Sequence, residues 1–254
     1  MPYPDGMSTV ARSTLGWLGA LVALTGALVA SVPTGASPVP PLVRIRAAPR
    51  LTESAGTAHF VSDVRLGTVP GTRVGSRISS VGDVALAGPD VSLTDRVSST
   101  STSDAPMSEQ IIIGKTFYIR YVNPALAPGP WSKGTTRQPY PYLGVVEPRA
   151  LAMYRGSVRT VGITSVDGQP ATGYALSIPG TDSLEPLPQA RTQHITVKPI
   201  TLEVWLDRSG RIVRTFAVTV VEDGTRTVTS KTTVTLSRFG EPIHIVAPQP
   251  LVPS

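Results

Sequence analysis

Residues 201–238 read TLEVWLDRSGRIVRTFAVTVVEDGTRTVTSKTTVTLSR, and their alternation decides the fold. Leu202, Val204 and Leu206 alternate with Glu203, Trp205 and Asp207. Asp207-Arg208-Ser209-Gly210 then makes a turn, Ile212 to Val221 returns, and Glu222-Asp223-Gly224 turns again. In the last strand, over 225–238, Thr225, Thr227, Thr229, Lys231, Thr233 and Thr235 fall on one face, with Val228, Val234 and Leu236 on the other. A period of two with turn residues between the runs predicts an antiparallel meander, polar outside and apolar inside.

The same signal extends toward the N-terminus. Strands are expected over 57–66, 73–87 and 90–98, with Gly88-Pro89-Asp90 turning between the last two. Ser98 to Ser108 is polar and low in complexity. Glu109 to Tyr121 reads EQIIIGKTFYIRY, two apolar strands broken by Gly114-Lys115 as in a hairpin. Ile111, Ile113, Phe117, Ile119 and Tyr121 share one sequence parity and are expected on one face, with Thr116, Tyr118 and Arg120 on the other. A loop over 123–138 contains Trp131. Leu143 to Tyr154 carries apolar residues at 143, 146, 150, 153 and 154, a helical stripe that Pro148 would break or kink. Strands resume over 157–166 and 171–179 around Asp167-Gly168-Gln169-Pro170, and 181–193 reads as a loop. The sum is a mainly β chain: one large, strongly curved antiparallel sheet with one or two short covering helices. Such a sheet must bury its apolar face, by closing on itself or against a ligand.

Composition narrows the function. The 254 residues are 41% hydrophobic and 16% charged, enough for a core. Proline (25) and glycine (23) are frequent without a period, which excludes collagen and marks turns. With no cysteine there are no disulfides, thiolate metal sites, cysteine nucleophiles or lipidated cysteines. The net charge of +6 suits an anionic membrane surface, but arginines scattered singly along strands do not form a nucleic-acid footprint.

Leu15 to Val32 (LGWLGALVALTGALVASV) is an uncharged apolar run preceded by Arg12. At about 1.5 Å per residue it spans roughly 27 Å, near the thickness of a hydrocarbon core. Residues 1–36 are therefore expected to be a signal peptide or a retained signal anchor, with the remainder extracytoplasmic, secreted or membrane-anchored. Residues 37–50 contain PVPPLVRIRAAP and are expected to be a Pro-rich linker; 51–248 is the β domain and 249–254 a tail.

No constellation for catalysis appears. His59, His194 and His244 lie far apart, with no metal-ligand spacing. Gly-x-Ser-x-Gly and Ser-x-x-Lys are absent, and Gly71-Thr72-Arg73-Val74-Gly75 lacks the lysine of a phosphate loop. Asp207-Arg208-Ser209-Gly210 holds too few carboxylates for a calcium loop and reads as a turn. The chain is expected not to be an enzyme and to use no cofactor or metal.

Four segments carry a resemblance. Val204 to Arg214 (VWLDRSGRIVR) resembles the strand–turn–strand of actinobacterial LolA-like proteins, the LppX and LprG lipoprotein family. Ile113 to Arg120 resembles the central hairpin of that family, with Trp131 following in a loop. Val161-Gly162 ahead of a strand with Tyr174 fits the middle section, and Ser237 to Pro248 the closing segment. The motifs occur in the family's order over about 50–250. Leu24-Thr25-Gly26 stands where such a lipoprotein carries the residues before its lipidated cysteine, and Ala27 occupies the cysteine's place.

The resemblance implies an unclosed β-barrel plugged by helices, with an apolar cavity for the acyl chains of a lipid. The expected function is a non-enzymatic extracytoplasmic binding or carrier protein. Ile111, Ile113, Phe117, Ile119, Val204, Leu206, Phe216 and Val218 are the candidate lining residues. The alternative is an envelope sensor or protein-interaction module on the same fold without lipid cargo. The expected partners are a lipid or acyl chain, the membrane, and in the alternative an envelope protein.

Overall fold

A computed structural model of the chain describes residues 39–67, 77–86, 92–99, 107–122, 127–135, 148–179, 195–223 and 226–249. The chain divides into units Met1–Pro38 and Val39–Ser254, and every described residue lies in the second. The apolar run over 15–32, the loop over 181–193 and His194 fall outside the described residues.

Twelve strands build a single sheet. They are β1 (Thr57–Leu66), β2 (Arg77–Ala85), β3 (Ser92–Ser99), β4 (Met107–Ile113), β5 (Thr116–Val122) and β6 (Ser132–Thr135). Then follow β7 (Arg159–Val166), β8 (Gln169–Ile178), β9 (Ile195–Val197), β10 (Ile200–Leu206), β11 (Ile212–Asp223) and β12 (Arg226–Ser237). Their spatial order is β6-β5-β4-β3-β2-β1-β12-β11-β10-β8-β7, every pair antiparallel, with β9 extending β10 along the same edge of β11. The path does not return on itself, so β6 and β7 are edges and the barrel is open.

Turn chemistry fixes the registers. At Asp167-Gly168 both residues have positive φ (48° and 77°), the type I′ pattern whose twist matches a hairpin, and Val166 pairs with Gln169. At Gly114-Lys115 only the first has positive φ (57°), the type II′ pattern, and Ile113 pairs with Thr116. Asp207 folds its own turn. Its Oδ1 accepts from the backbone N–H groups of Ser209 and Arg211 at 2.9 Å each, and its Oδ2 accepts from Arg211 Nε at 2.8 Å. The carboxylate is saturated within the loop, as a turn requires and a calcium site does not.

Among the described residues two helices cover one face. α1 (Pro41–Glu53) buries Ile45, Ala48, Pro49 and Thr52, and α2 (Pro148–Ala152) buries Leu151. Ile45, Ala48 and Leu151 join one cluster with Ala58, Phe60, Val84, Ile112, Tyr174, Leu176, Leu202, Val204, Val234 and Leu236. That cluster defines the inner face. α1 stands where a linker over 37–50 is expected. Its prolines are the reason for the difference: Pro41 takes the first helical position, where a missing N–H costs nothing. Of the helical stripe expected over 143–154, 143–147 lie outside the described residues; α2 takes Pro148–Ala152, and Met153 is exposed instead of packed.

Thr52 ties α1 to the sheet. Its hydroxyl donates to the Ala48 carbonyl at 2.8 Å and accepts from the Ile212 N–H at 2.9 Å, wholly buried. A smaller cluster, Val166, Ala171 and Val213 with Trp205 and Phe239, lies on the opposite, outer face. Trp205 covers Gly173 there, where a β-carbon would come within 2.6 Å of the indole.

Candidate ligand-binding face

Residues directly opposite in an antiparallel pair point to the same side, so the registers assign faces. Phe60 pairs with Leu236, Ser62 with Val234, and Val234 with Thr215; Thr215 pairs with Val204 and Val204 with Tyr174. This row crosses the inner face. On the other half, Ile112 pairs with Phe117, Gln110 with Ile119 and Ser108 with Tyr121. Ile112 is buried, and Phe117 packs against the inner cluster.

Four of the eight expected lining residues lie on this face: Phe117, Ile119, Val204 and Leu206. Val204 and Leu206 are fully packed among core side chains, whereas Ile119 is half-buried nearer the β6 edge. The other four lie outside. Ile111 pairs with Tyr118 and Ile113 with Thr116, placing them opposite to Phe117. A two-residue turn pairs an odd position with an even one, so equal parity on its two sides means opposite faces. Phe216 pairs with Glu203 and Thr233, and Val218 with Thr201 and Lys231, all on the outer face.

The middle of the inner face is lined by small groups that sequence alternation does not flag. Ser62, Ser80, Gly82, Thr215, Ala217, Thr219 and Thr232 lie between the apolar rows. Ser80, Thr215, Ala217, Thr219 and Thr232 are nonetheless buried. The Thr219 hydroxyl stands apart: the residue is 6% exposed and its Oγ1 has no hydrogen-bond partner among the described residues. An unpaired buried hydroxyl costs roughly 1–3 kcal/mol, which a bound acceptor or donor would recover.

A cavity of about 440 Å³ opens at one end of the sheet. The β7–β8 turn (Asp167, Gln169, Pro170), the β10–β11 turn (Asp207, Arg208, Arg211) and the segment after β12 (Arg238, Phe239) surround it. Arg211 there stacks on Phe239, 4.5 Å from the ring centre. Two of the segments that carry the sequence resemblance, 204–214 and 237–248, meet at this cavity, so part of their pattern maintains a packed loop junction.

Elsewhere, His59 Nδ1 lies 2.9 Å from Asp83 Oδ1 on the outer face, and His244 is exposed beyond β12. Among the described residues no three histidine or carboxylate side chains group to hold a metal. On the outer face of β4 and β5, Arg120 is paired with Glu109 and lies over Trp131, 4.7 Å from the ring centre. Asp63, also outer, hydrogen-bonds Arg65 and Arg77. Burial raises its carboxyl pKa, but the two guanidinium groups outweigh that and hold it below the ordinary value.

The architecture is an open, curved antiparallel half-barrel with helices seated on its inner face. Among solved structures the chain is similar to LprF from Mycobacterium bovis, with a TM-score of 0.50 and 16% identity over 84% of this chain and 99% of that one. It is also similar to the lipoprotein LppX from Mycobacterium tuberculosis, with a TM-score of 0.51 and 18% identity over 81% and 97% of the two chains. No family model matches the chain, nor does any curated protein. The LolA-like resemblance carried by the sequence motifs is therefore met in the fold, which spans nearly the whole of both mycobacterial proteins.

Proposed function

We propose that the chain is a non-enzymatic, extracytoplasmic binding or carrier protein for lipid or acyl chains, held on the inner face of the half-barrel. The observation that carries this reading is the make-up of that face. Short side chains at Ser62, Ser80, Gly82, Thr215 and Ala217 lie between apolar rows, and Phe117 and Ile119 continue the apolar surface toward the open β6 edge. The driving force is burial, about 0.8 kcal/mol for each CH₂ removed from water. A chain of ~14 carbons supplies roughly 11 kcal/mol before the costs of ordering it are subtracted. Thr219 offers a hydroxyl to the polar end of such a chain. Residues 1–36 act as the leader or anchor that brings the domain across the membrane.

The test is chemical. Chain purified without detergent is extracted with organic solvent, and the extract is analysed by mass spectrometry alongside displacement of a fluorescent fatty acid. Stoichiometric lipid or saturable displacement supports the carrier. An extract without lipid, together with no probe binding, rejects it. One observation favours a second reading, a protein-interaction module without cargo: the inner face over β8, β10 and β11 is already filled by Tyr174, Leu176, Leu202 and Val204 packed under α1 and α2.

A further inference from the structure

Helix α1 carries two apolar stripes, one buried against the core and one largely exposed, with Leu51 at its end reaching Gly210 of the β10–β11 turn. Ile45, Ala48, Pro49 and Thr52 face the core. Val43, Ala47 and Leu51 recur every fourth residue on the other side, all exposed, with Val39 one helical turn earlier. An i, i+4, i+8 spacing puts these side chains in one line along the helix. Val39, Val43 and Leu51 are 49%, 52% and 38% exposed, and Met153, just past α2, is 59% exposed. Four of the nine large apolar side chains exposed among the described residues thus gather on two helices that pack together.

The charges around this stripe have one sign. Arg44, Arg46 and Arg50 are exposed beside it, and Glu53 is the only acidic residue of the helix. Arg46 donates to the carbonyl of Ala152 at 3.2 Å, tying the end of α2, next to the exposed Met153, to α1. Arg44 and Arg50 make no ion pair with a carboxylate of the described residues, and Arg44 only donates to the Val39 carbonyl at 3.3 Å. Exposed apolar side chains framed by unpaired arginines are what an interfacial helix presents to anionic lipid.

We propose that the exposed stripe of α1, with Met153, docks on the surface of an anionic bilayer, laying the half-barrel against the membrane through its covering helices. Val43, Leu51 and Met153 enter the headgroup boundary while Arg44 and Arg50 meet lipid phosphates. Six residues, 33–38, separate the stripe from the apolar run over 15–32 in the sequence. Docking requires no cargo and stands apart from the carrier reading.

The chain has no cysteine, so Val43→Cys in the full chain gives a unique site for an environment-sensitive fluorophore, and Val61→Cys on the outer face of β1 gives a control of similar exposure. Each labelled chain is mixed with vesicles of phosphatidylglycerol and phosphatidylcholine, and with vesicles of phosphatidylcholine alone. The expected result is a blue shift and several-fold protection from aqueous iodide at position 43 in the anionic vesicles only, with position 61 unchanged. Adding Arg44→Glu and Arg50→Glu abolishes the protection, since each lost cation weakens binding about fivefold. Protection that survives this double reversal means tethering through 15–32 alone and overturns the proposal. Equal quenching at 43 and 61 overturns it too, as does protection that rises with protein concentration in the absence of vesicles, the mark of a second copy on the stripe. Lipid extraction from the same preparations tests the carrier reading separately, so the two fail independently.

Discussion

Single side chains on the inner face separate folding from binding. Thr52 accepts the hydrogen bond of the buried Ile212 N–H across the helix–sheet junction. Thr52→Val leaves that donor orphaned and is expected to cost about 1–3 kcal/mol in urea denaturation, whereas Thr52→Ser keeps most of the stability. Thr219 predicts the opposite. Its hydroxyl is unpaired, so Thr219→Val is expected to leave the empty protein as stable or slightly more so while weakening acyl-probe binding. A binding loss without a stability loss assigns the hydroxyl to the ligand. Asp63 sets an acid limit. Because its folded pKa lies below the ordinary 3.8, the ionised form stabilises the fold at pH values above 3.8, and this contribution disappears as pH falls through the lower folded value. The stability gap between wild type and Asp63→Asn is therefore expected to close below about pH 4, and a gap that persists in stronger acid contradicts the pairing with Arg65 and Arg77.

At the level of elements, alternation in sequence places β1, the β4–β5 hairpin and the β10–β12 meander within a residue or two of their observed bounds, because a half-exposed strand writes its two faces into every second residue. The faces of Val234 and Leu236 follow directly. Across a turn the same logic fails unless the turn length is counted, which is why Ile111 and Ile113 lie on the outer face while Phe117 and Ile119 lie on the inner one. Phe216 and Val218 lie outside for another reason: the more apolar side of their strand is its outer one, and only the buried Ala217 and Thr219 reveal which face is inside. β6 and β9 are too short to show a period, and α1 is masked by its prolines. The face assignment is testable. Ile112→Ala on the inner side is expected to cost about 2–4 kcal/mol, and Ile113→Ala on the outer side distinctly less. In the same way Ile119→Asp is expected to abolish acyl-probe binding while Val218→Asp leaves it unchanged, and equal effects would show that binding does not use the inner face.

Over the whole molecule, the path from β1 to β6 runs as one local meander, and β7, β8, β10 and β11 form a second. Among the described strands the two are hydrogen-bonded to each other only where β1 pairs with β12, His59 opposite Ser237 and Leu66 opposite Ser230. A chain ending before Arg226 lacks that strand and is expected to lose cooperative unfolding, checked by coincidence of fluorescence and circular-dichroism transitions. The order of residues along the chain then has a temporal meaning. When the polypeptide is threaded N-terminus first, its earliest strand must wait for its latest, and loop closure over almost the entire domain precedes the contact that rewards it. Until the last strand arrives the half-barrel exists as two unjoined wings, each with an open edge at the seam. The seam between first and last strand is thus a clock as well as a contact, keeping the fold unfinished until its last strand is available.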